Sequence, residues 1–100
     1  MPNVWTHGVW RVKPGREEEF VTAWREMARE GMAELDTVEP PTLLRDRERP
    51  GEFISFGPWP NLDEVDRFRS SAAFHRGQER MRELLESFTP RTLDEVSRGA

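Results

Sequence analysis

One hundred residues is a chain of single-domain size, since domains usually run about 50–250 residues. Thirty-five residues are hydrophobic and thirty-four charged, and four Trp with six Phe supply enough large apolar surface to exclude a disordered chain. Zero cysteines exclude a disulfide scaffold, a Cys zinc site, a thiol nucleophile and a thiolate-held cluster, while a net charge of −4 without a basic block argues against a nucleic-acid partner.

No apolar run approaches the roughly 18–20 residues of a membrane span, and no signal peptide opens the sequence, so the expectation is a cytoplasmic protein without a membrane partner. Fourteen of the fifteen basic residues are Arg, with Lys13 the exception, a bias that points to a GC-rich bacterial genome. A chain this short buries only about 60–70% of its unfolded surface. Any internal pocket therefore takes volume from a small core, which favours a partner subunit.

In chain order, residues 4–12 (VWTHGVWRV) are predicted as a strand, being bulky and β-branched without a helical period. Val4, Trp10 and Val12 fall on one parity and Trp5 and Val9 on the other, as in a strand covered on both faces. Pro14-Gly15 stops it. Over residues 16–35, Phe20, Trp24, Met27, Gly31 and Leu35 trace one helical stripe, with Glu17, Glu18 and Glu19 in the first turn where the helix dipole favours negative charge. Pro40-Pro41 breaks the chain again. Thr42–Asp46 and Glu52–Trp59 are predicted as two strands joined by the polar turn 47–51. Asn61 caps a further helix with Glu64 three residues on. That helix breaks at Ser70-Ser71 into a second piece with the stripe Phe74, Gln78, Met81, Leu85, Phe88, ended by Pro90, and Thr92–Val96 is predicted as the last strand. The order is βαββαβ, the α+β ferredoxin-like arrangement, with helices on one face of a four-stranded antiparallel sheet. The whole chain, residues 1–100, is expected to form one such domain. A sheet apolar on both sides leaves its second face to a partner, so a homodimer with sheet packed on sheet is expected.

Several local motifs resemble the antibiotic biosynthesis monooxygenase family of dimeric α+β barrels. They are Val12-Lys13-Pro14-Gly15-Arg16 running into Glu17–Phe20, Leu43-Leu44-Arg45-Asp46 followed by Pro50-Gly51-Glu52-Phe53, and Trp59 ahead of a capped helix. The Phe68-Arg69-Ser70-Ser71 break and Phe74-His75 complete the set, so that the likeness runs over residues 4–96. The resemblance implies a dimeric barrel. It further implies oxygenation of phenolic polycycles to quinones without metal or flavin, the reduced substrate supplying electrons to O₂. Other relatives degrade haem, and many have no established activity, so fold alone does not fix function.

Such chemistry needs a dry pocket for a flat ligand and a group that moves or orients a phenolic proton. Without Tyr or Cys, the polar candidates are His and Asn. His75 is the catalytic candidate, because histidine suits proton transfer near neutral pH; the bland alternative has it pointing to water, one residue off the Phe74 stripe. Trp59 either closes the core or stacks on a planar ligand. His7 is an interface residue or a pocket residue, depending on which face of the first strand it occupies. Trp10 and Trp24 pack between sheet and helix or line a cavity there. Asn61 serves as helix cap or substrate contact, and Arg69 as surface ion-pair residue or substrate contact. No metal, flavin or haem cofactor is expected: the two histidines stand sixty-eight positions apart, without HxH or HExxH spacing and without a GxGxxG fingerprint. Asn3, Trp59 and His75 do not fall convincingly at the spacing of the haem-degrading motif, with His75 as a proximal haem ligand the form in which that reading survives. Two functions stay open, a cofactor-independent monooxygenase for a small aromatic, polyketide-like substrate and a non-catalytic ligand-binding or stress-associated barrel, with haem degradation behind both.

Overall fold

A computed structural model of the chain describes residues 4–33, 35 and 39–99; Asn3 and Glu34 lie outside the described residues. The elements are β1 (Val4–Val12), α1 (Glu17–Met32), β2 (Thr42–Arg45), β3 (Glu52–Trp59), α2 (Leu62–Arg69), α3 (Ala72–Arg82) and β4 (Leu85–Asp94). The four strands form one antiparallel sheet in the order β2-β3-β1-β4, the ferredoxin-like arrangement expected from the element order. Gly15, with φ of 85°, makes the turn after β1 that an L side chain rarely adopts.

Alternation along β1 separates the two faces of the sheet. Gly8, Trp10 and Val12 are buried toward the helices, whereas Trp5, His7 and Val9 stand half-buried on the other side. Trp10, Val12, Phe20, Trp24, Met27, Phe53, Met81 and Leu84 build the larger core cluster, and Leu35, Trp59 and Val65 a second one. The break between α2 and α3 is a capped joint. Asn61 accepts from the Glu64 backbone N–H at 2.9 Å to start α2, and the Ser71 hydroxyl accepts from the Phe74 N–H at 3.1 Å to start α3 while donating to the Phe68 carbonyl at 2.6 Å.

The helix ends depart from the sequence expectation: α1 stops at Met32, leaving Leu35 beyond it, and α3 stops short as well. The apolar stripe of α3 does not continue through Leu85 and Phe88: the helix ends at Arg82, and β4 begins at Leu85 rather than Thr92. A three-residue spacing of two apolar groups suits either element, and pairing with β1 along its whole length decides for strand. Pro90 is tolerated inside β4 because this strand is an edge of the sheet, where a missing N–H leaves no neighbour unpaired.

Helices α1 and α3 pack closely because α3 carries no side chain at Gly77. A Cβ there would fall on the Met27 side chain of α1. The Arg76–Glu30 pair at 3.2 Å and the Arg80–Glu26 pair flank the contact, and the Arg80 guanidinium holds the Glu26 carboxyl below its ordinary pKa, chiefly by its hydrogen bond. Overpacking a tight contact costs about 1–3 kcal/mol, whereas Ala in place of Gly returns at most about 1 kcal/mol of helix propensity. Gly77→Ala is therefore expected to lower the melting temperature, while Gly99→Ala, with open space around it, leaves the melt unchanged.

Candidate functional site

On the helix-facing side of the two central strands, four small residues lie together. The register pairs Thr6 with Gly57 and Gly8 with Ser55, bracketed by the large pairs Trp10–Phe53 and Val4–Trp59. A Cβ at Gly8 would press within 3.0 Å of Phe88, Ser55 and Trp10, so no larger residue fits that position. Above this patch is a half-open cavity of about 380 Å³, roofed by Trp24, Met27, Ala28 and Met32 of α1, by Phe68 and Arg69 of α2 and by Phe74 and Gln78 of α3. Pro41, Phe88 and Pro90 close its sides. The volume falls near the lower end of the roughly 300–1,000 Å³ of small-molecule sites.

The aromatic walls are held in place by polar bonds. Trp10 Nε1 donates to Ser55 Oγ at 2.9 Å, and Trp59 Nε1 donates to Thr6 Oγ1 at 2.8 Å. The Trp10 ring stacks on Phe88 with centroids 3.8 Å apart, and Phe68 bridges Trp59 and Phe74 at 5.4 and 5.2 Å. Each indole thus has a satisfied N–H and a fixed plane. The remaining polar groups of the roof are few. Gln78 Nε2 is buried and without a hydrogen-bond partner, and Arg69 donates from Nη1 to Thr92 Oγ1 at 2.9 Å across to β4.

Trp10, Trp24, Trp59 and Arg69 all border this cavity, as does His7. The His7 ring nevertheless stands on the uncovered face of the sheet, level with Phe56 and Arg91, and its Nδ1 is buried without a partner. Asn61 is a helix cap and lies outside the cavity wall. His75 and Trp59 do not share an enclosed space: Trp59 is a wall, and His75 is exposed on the outer side of α3, its ring edge-on to Phe74 at 6.1 Å. Its position one residue off the Phe74 stripe turns it to solvent, so the haem-degrader's histidine is not brought to Trp59 either; Asn3 is outside the described residues. Among the described residues no three His, Cys, Asp or Glu side chains gather into a metal-binding group, and no helix is long and apolar enough to cross a membrane.

Sequence reasoning placed Gln78 and Phe88 in a packing stripe and passed over Thr6 and Ser55. A lone amide in an otherwise apolar stripe was the available signal for Gln78. Nothing local marks Thr6 and Ser55, because their role depends on which indole the register sets beside them.

The family model for antibiotic biosynthesis monooxygenases matches residues 4–80. The chain belongs to that family. Among the curated proteins none matches the chain. Solved structures that resemble it include one described as an antibiotic biosynthesis monooxygenase, at 18% identity over 94% of this chain and 99% of that one, with a TM-score of 0.79. A protein from Caulobacter crescentus CB15 is 15% identical over 96% of this chain and 92% of its own, with a TM-score of 0.87. A conserved protein from Methanosarcina mazei Go1 is 15% identical over 96% and 95%, with a TM-score of 0.86. At such identities the likeness is one of fold alone.

Ser55→Ala removes the acceptor of a 2%-exposed indole. Leaving a buried donor unpaired costs about 1–3 kcal/mol, which for a chain of this size lowers the melting temperature by several degrees, about 4–8 °C per kcal/mol. Thermal unfolding followed by near-ultraviolet dichroism reads both the loss and the freed Trp10 ring.

Proposed function

We propose that this chain is a cofactor-independent monooxygenase that takes a flat phenolic ring system into the cavity and returns a quinone. The observation that carries the reading is the wall itself, three indoles and the rings of Phe68, Phe74 and Phe88 around a half-open space with no Asp or Glu among the described residues of its lining. Membership of the family supports the reaction class. In the overall step, one atom of O₂ replaces a ring hydrogen and becomes the second quinone oxygen. The other leaves as water with that hydrogen and the phenolic proton. The substrate supplies all the electrons, so the balance needs no external reductant. The protein's part is to exclude water, hold the ring against Trp59 and admit O₂ from the open side.

With His75 outside the wall, the reading gives it no proton to carry. The phenolic proton passes to water at the open side. The same geometry favours the second reading in one respect, because no histidine ring faces the cavity, as suits a binding barrel without catalysis.

Oxygen uptake with naphthol-, hydroquinone- and anthrone-like compounds separates the two. The oxygenase reading expects consumption above the uncatalysed rate and quinone in the product. It also expects Trp59→Phe to raise KM more than it lowers kcat, since ring packing acts on ground and transition states alike. Binding without oxygen consumption leaves the binding barrel.

The reading includes a homodimer formed through the uncovered sheet face. That face carries half-buried Trp5, His7, Val9, Ile54 and Phe56 with the half-exposed Leu44, and an apolar surface of this kind on a monomer invites association. An obligate interface buries on the order of 2,000 Å² or more in total. Light scattering at micromolar concentration is expected to give twice the chain mass, and Val9→Glu, which places charge in the middle of the face, is expected to give monomer. A wild-type monomer at that concentration contradicts the proposal.

A further inference from the structure

The polar groups of the cavity wall divide into two kinds. Thr6 and Ser55 are occupied as acceptors for indole N–H groups. Gln78 and Arg69 are not so occupied. Gln78 Nε2 is buried with no hydrogen-bond partner among the described residues, and an amide N–H left so costs stability that an apolar residue of the same shape would recover. Arg69 is half-buried, and the bond to Thr92 uses one of the five N–H groups of its guanidinium. Eight other arginines pair with carboxylates among the described residues, yet Arg69 forms no ion pair there. Among the described residues no acidic side chain lines the cavity to neutralise it.

The positions of the two groups are set by the fold. Thr92, which accepts from Arg69, pairs across the strands with Thr6, which accepts from Trp59. The guanidinium is thus tied to the same level of the sheet as the Trp59 indole, at the solvent-reached rim. Gln78 lies in the middle of α3, next to the Gly77 contact with α1, and its amide nitrogen is shut off from water. A planar ligand against Trp59 therefore meets a fixed cation at the rim and an unpaired donor farther in.

We infer that the cavity selects an aromatic carboxylate that also bears a ring oxygen, the carboxylate pairing with Arg69 and the ring hydroxyl or oxo group accepting from Gln78 Nε2. A carboxylate is the fitting anion because it is ionised at neutral pH unaided, whereas a phenol ordinarily keeps its proton until about pH 10. The planar guanidinium matches its two oxygens. The inference rests on the proposed use of this cavity as the substrate site, but not on the oxygenation step.

The test is calorimetric titration without oxygen, using naphthalene, naphthol, naphthoate and a hydroxynaphthoate with its two groups on opposite rings. Wild type is expected to bind the hydroxynaphthoate tightest. A charge-assisted bond corresponds to about ten- to hundredfold in affinity, so Arg69→Gln is expected to weaken both carboxylates by that factor and naphthol by no more than about twofold, with Arg69→Lys keeping part of the preference. Gln78→Leu is expected to weaken naphthol and hydroxynaphthoate about three- to tenfold and leave naphthoate unchanged. Gln78→Met repeats the measurement if the leucine variant melts early. Equal wild-type affinity for naphthol and hydroxynaphthoate, or a uniform loss for all four compounds in either variant, overturns the inference. Because oxygen is absent, a protein that binds selectively but never consumes O₂ upholds the inference while failing the oxygenase reading, and one that binds none of the four fails both.

Discussion

Four small side chains at the centre of the sheet, Thr6, Gly8, Ser55 and Gly57, are the constraint on which the rest of the molecule turns. Protein interiors pack to the density of organic crystals, and neighbouring side chains normally swing in to fill a gap of this size. Here they cannot. The two largest neighbours, Trp10 and Trp59, are tied by their N–H groups to Ser55 and Thr6, members of the small patch itself. The bonds satisfy both indoles and keep their planes as walls, so the polar atoms of the patch maintain the apolar space above it.

The helical layer completes the enclosure by being tight where the sheet is open. Gly77 lets α3 sit against Met27, and a Cβ at Gly31 of α1 would meet Phe68, so both helices give up side chains where the roof has to close. The ion pairs Arg76–Glu30 and Arg80–Glu26 lie at the partly exposed edge of the same contact, where solvent screens them and each contributes little. The Ser71 cap ends one helix and starts the next within two residues, with Phe68 and Phe74 edge to face on the wall. An enclosure of this composition suits a flat aromatic ligand.

The opposite face of the sheet follows a different logic. It has no helix over it, yet Trp5, Val9, Ile54 and Phe56 make it apolar, with Trp5 held to Glu95 at 2.9 Å and lying 6.3 Å from Phe56. The Glu95 carboxyl is held below its ordinary pKa, first by the Arg98 guanidinium and then by this indole. His7 stands on that face with an unpaired ring nitrogen. A second copy packed there would remove the apolar surface from water and bring new partners to His7, while leaving the cavity between sheet and helices accessible from its own side.

Periodicity and capping in the sequence determined the order of elements and most of their ends: the stripe from Phe20 to Gly31, the Asn61 cap, the Ser70-Ser71 break and the strands at residues 4–12 and 52–59 are local patterns read over a few residues. They also determined that Trp10 and Trp24 lie between sheet and helix. The end of α3 was not legible, because Leu85 and Phe88 fit a helix as well as a strand until β1 pairs with them. The site was legible in its aromatic content and in Arg69 and His7, which border the cavity as well. For His75, one residue off the Phe74 stripe, the sequence already offered solvent as one reading, and the fold selected it. That Thr6 and Gly8 face Gly57 and Ser55, that Gln78 is left without an acceptor among the described residues, that Arg69 reaches Thr92, and that His7 turns to the uncovered face were decided by tertiary structure alone. Each depends on strand register or on a contact between residues far apart in the chain, and neither is encoded in any stretch short enough to show a period.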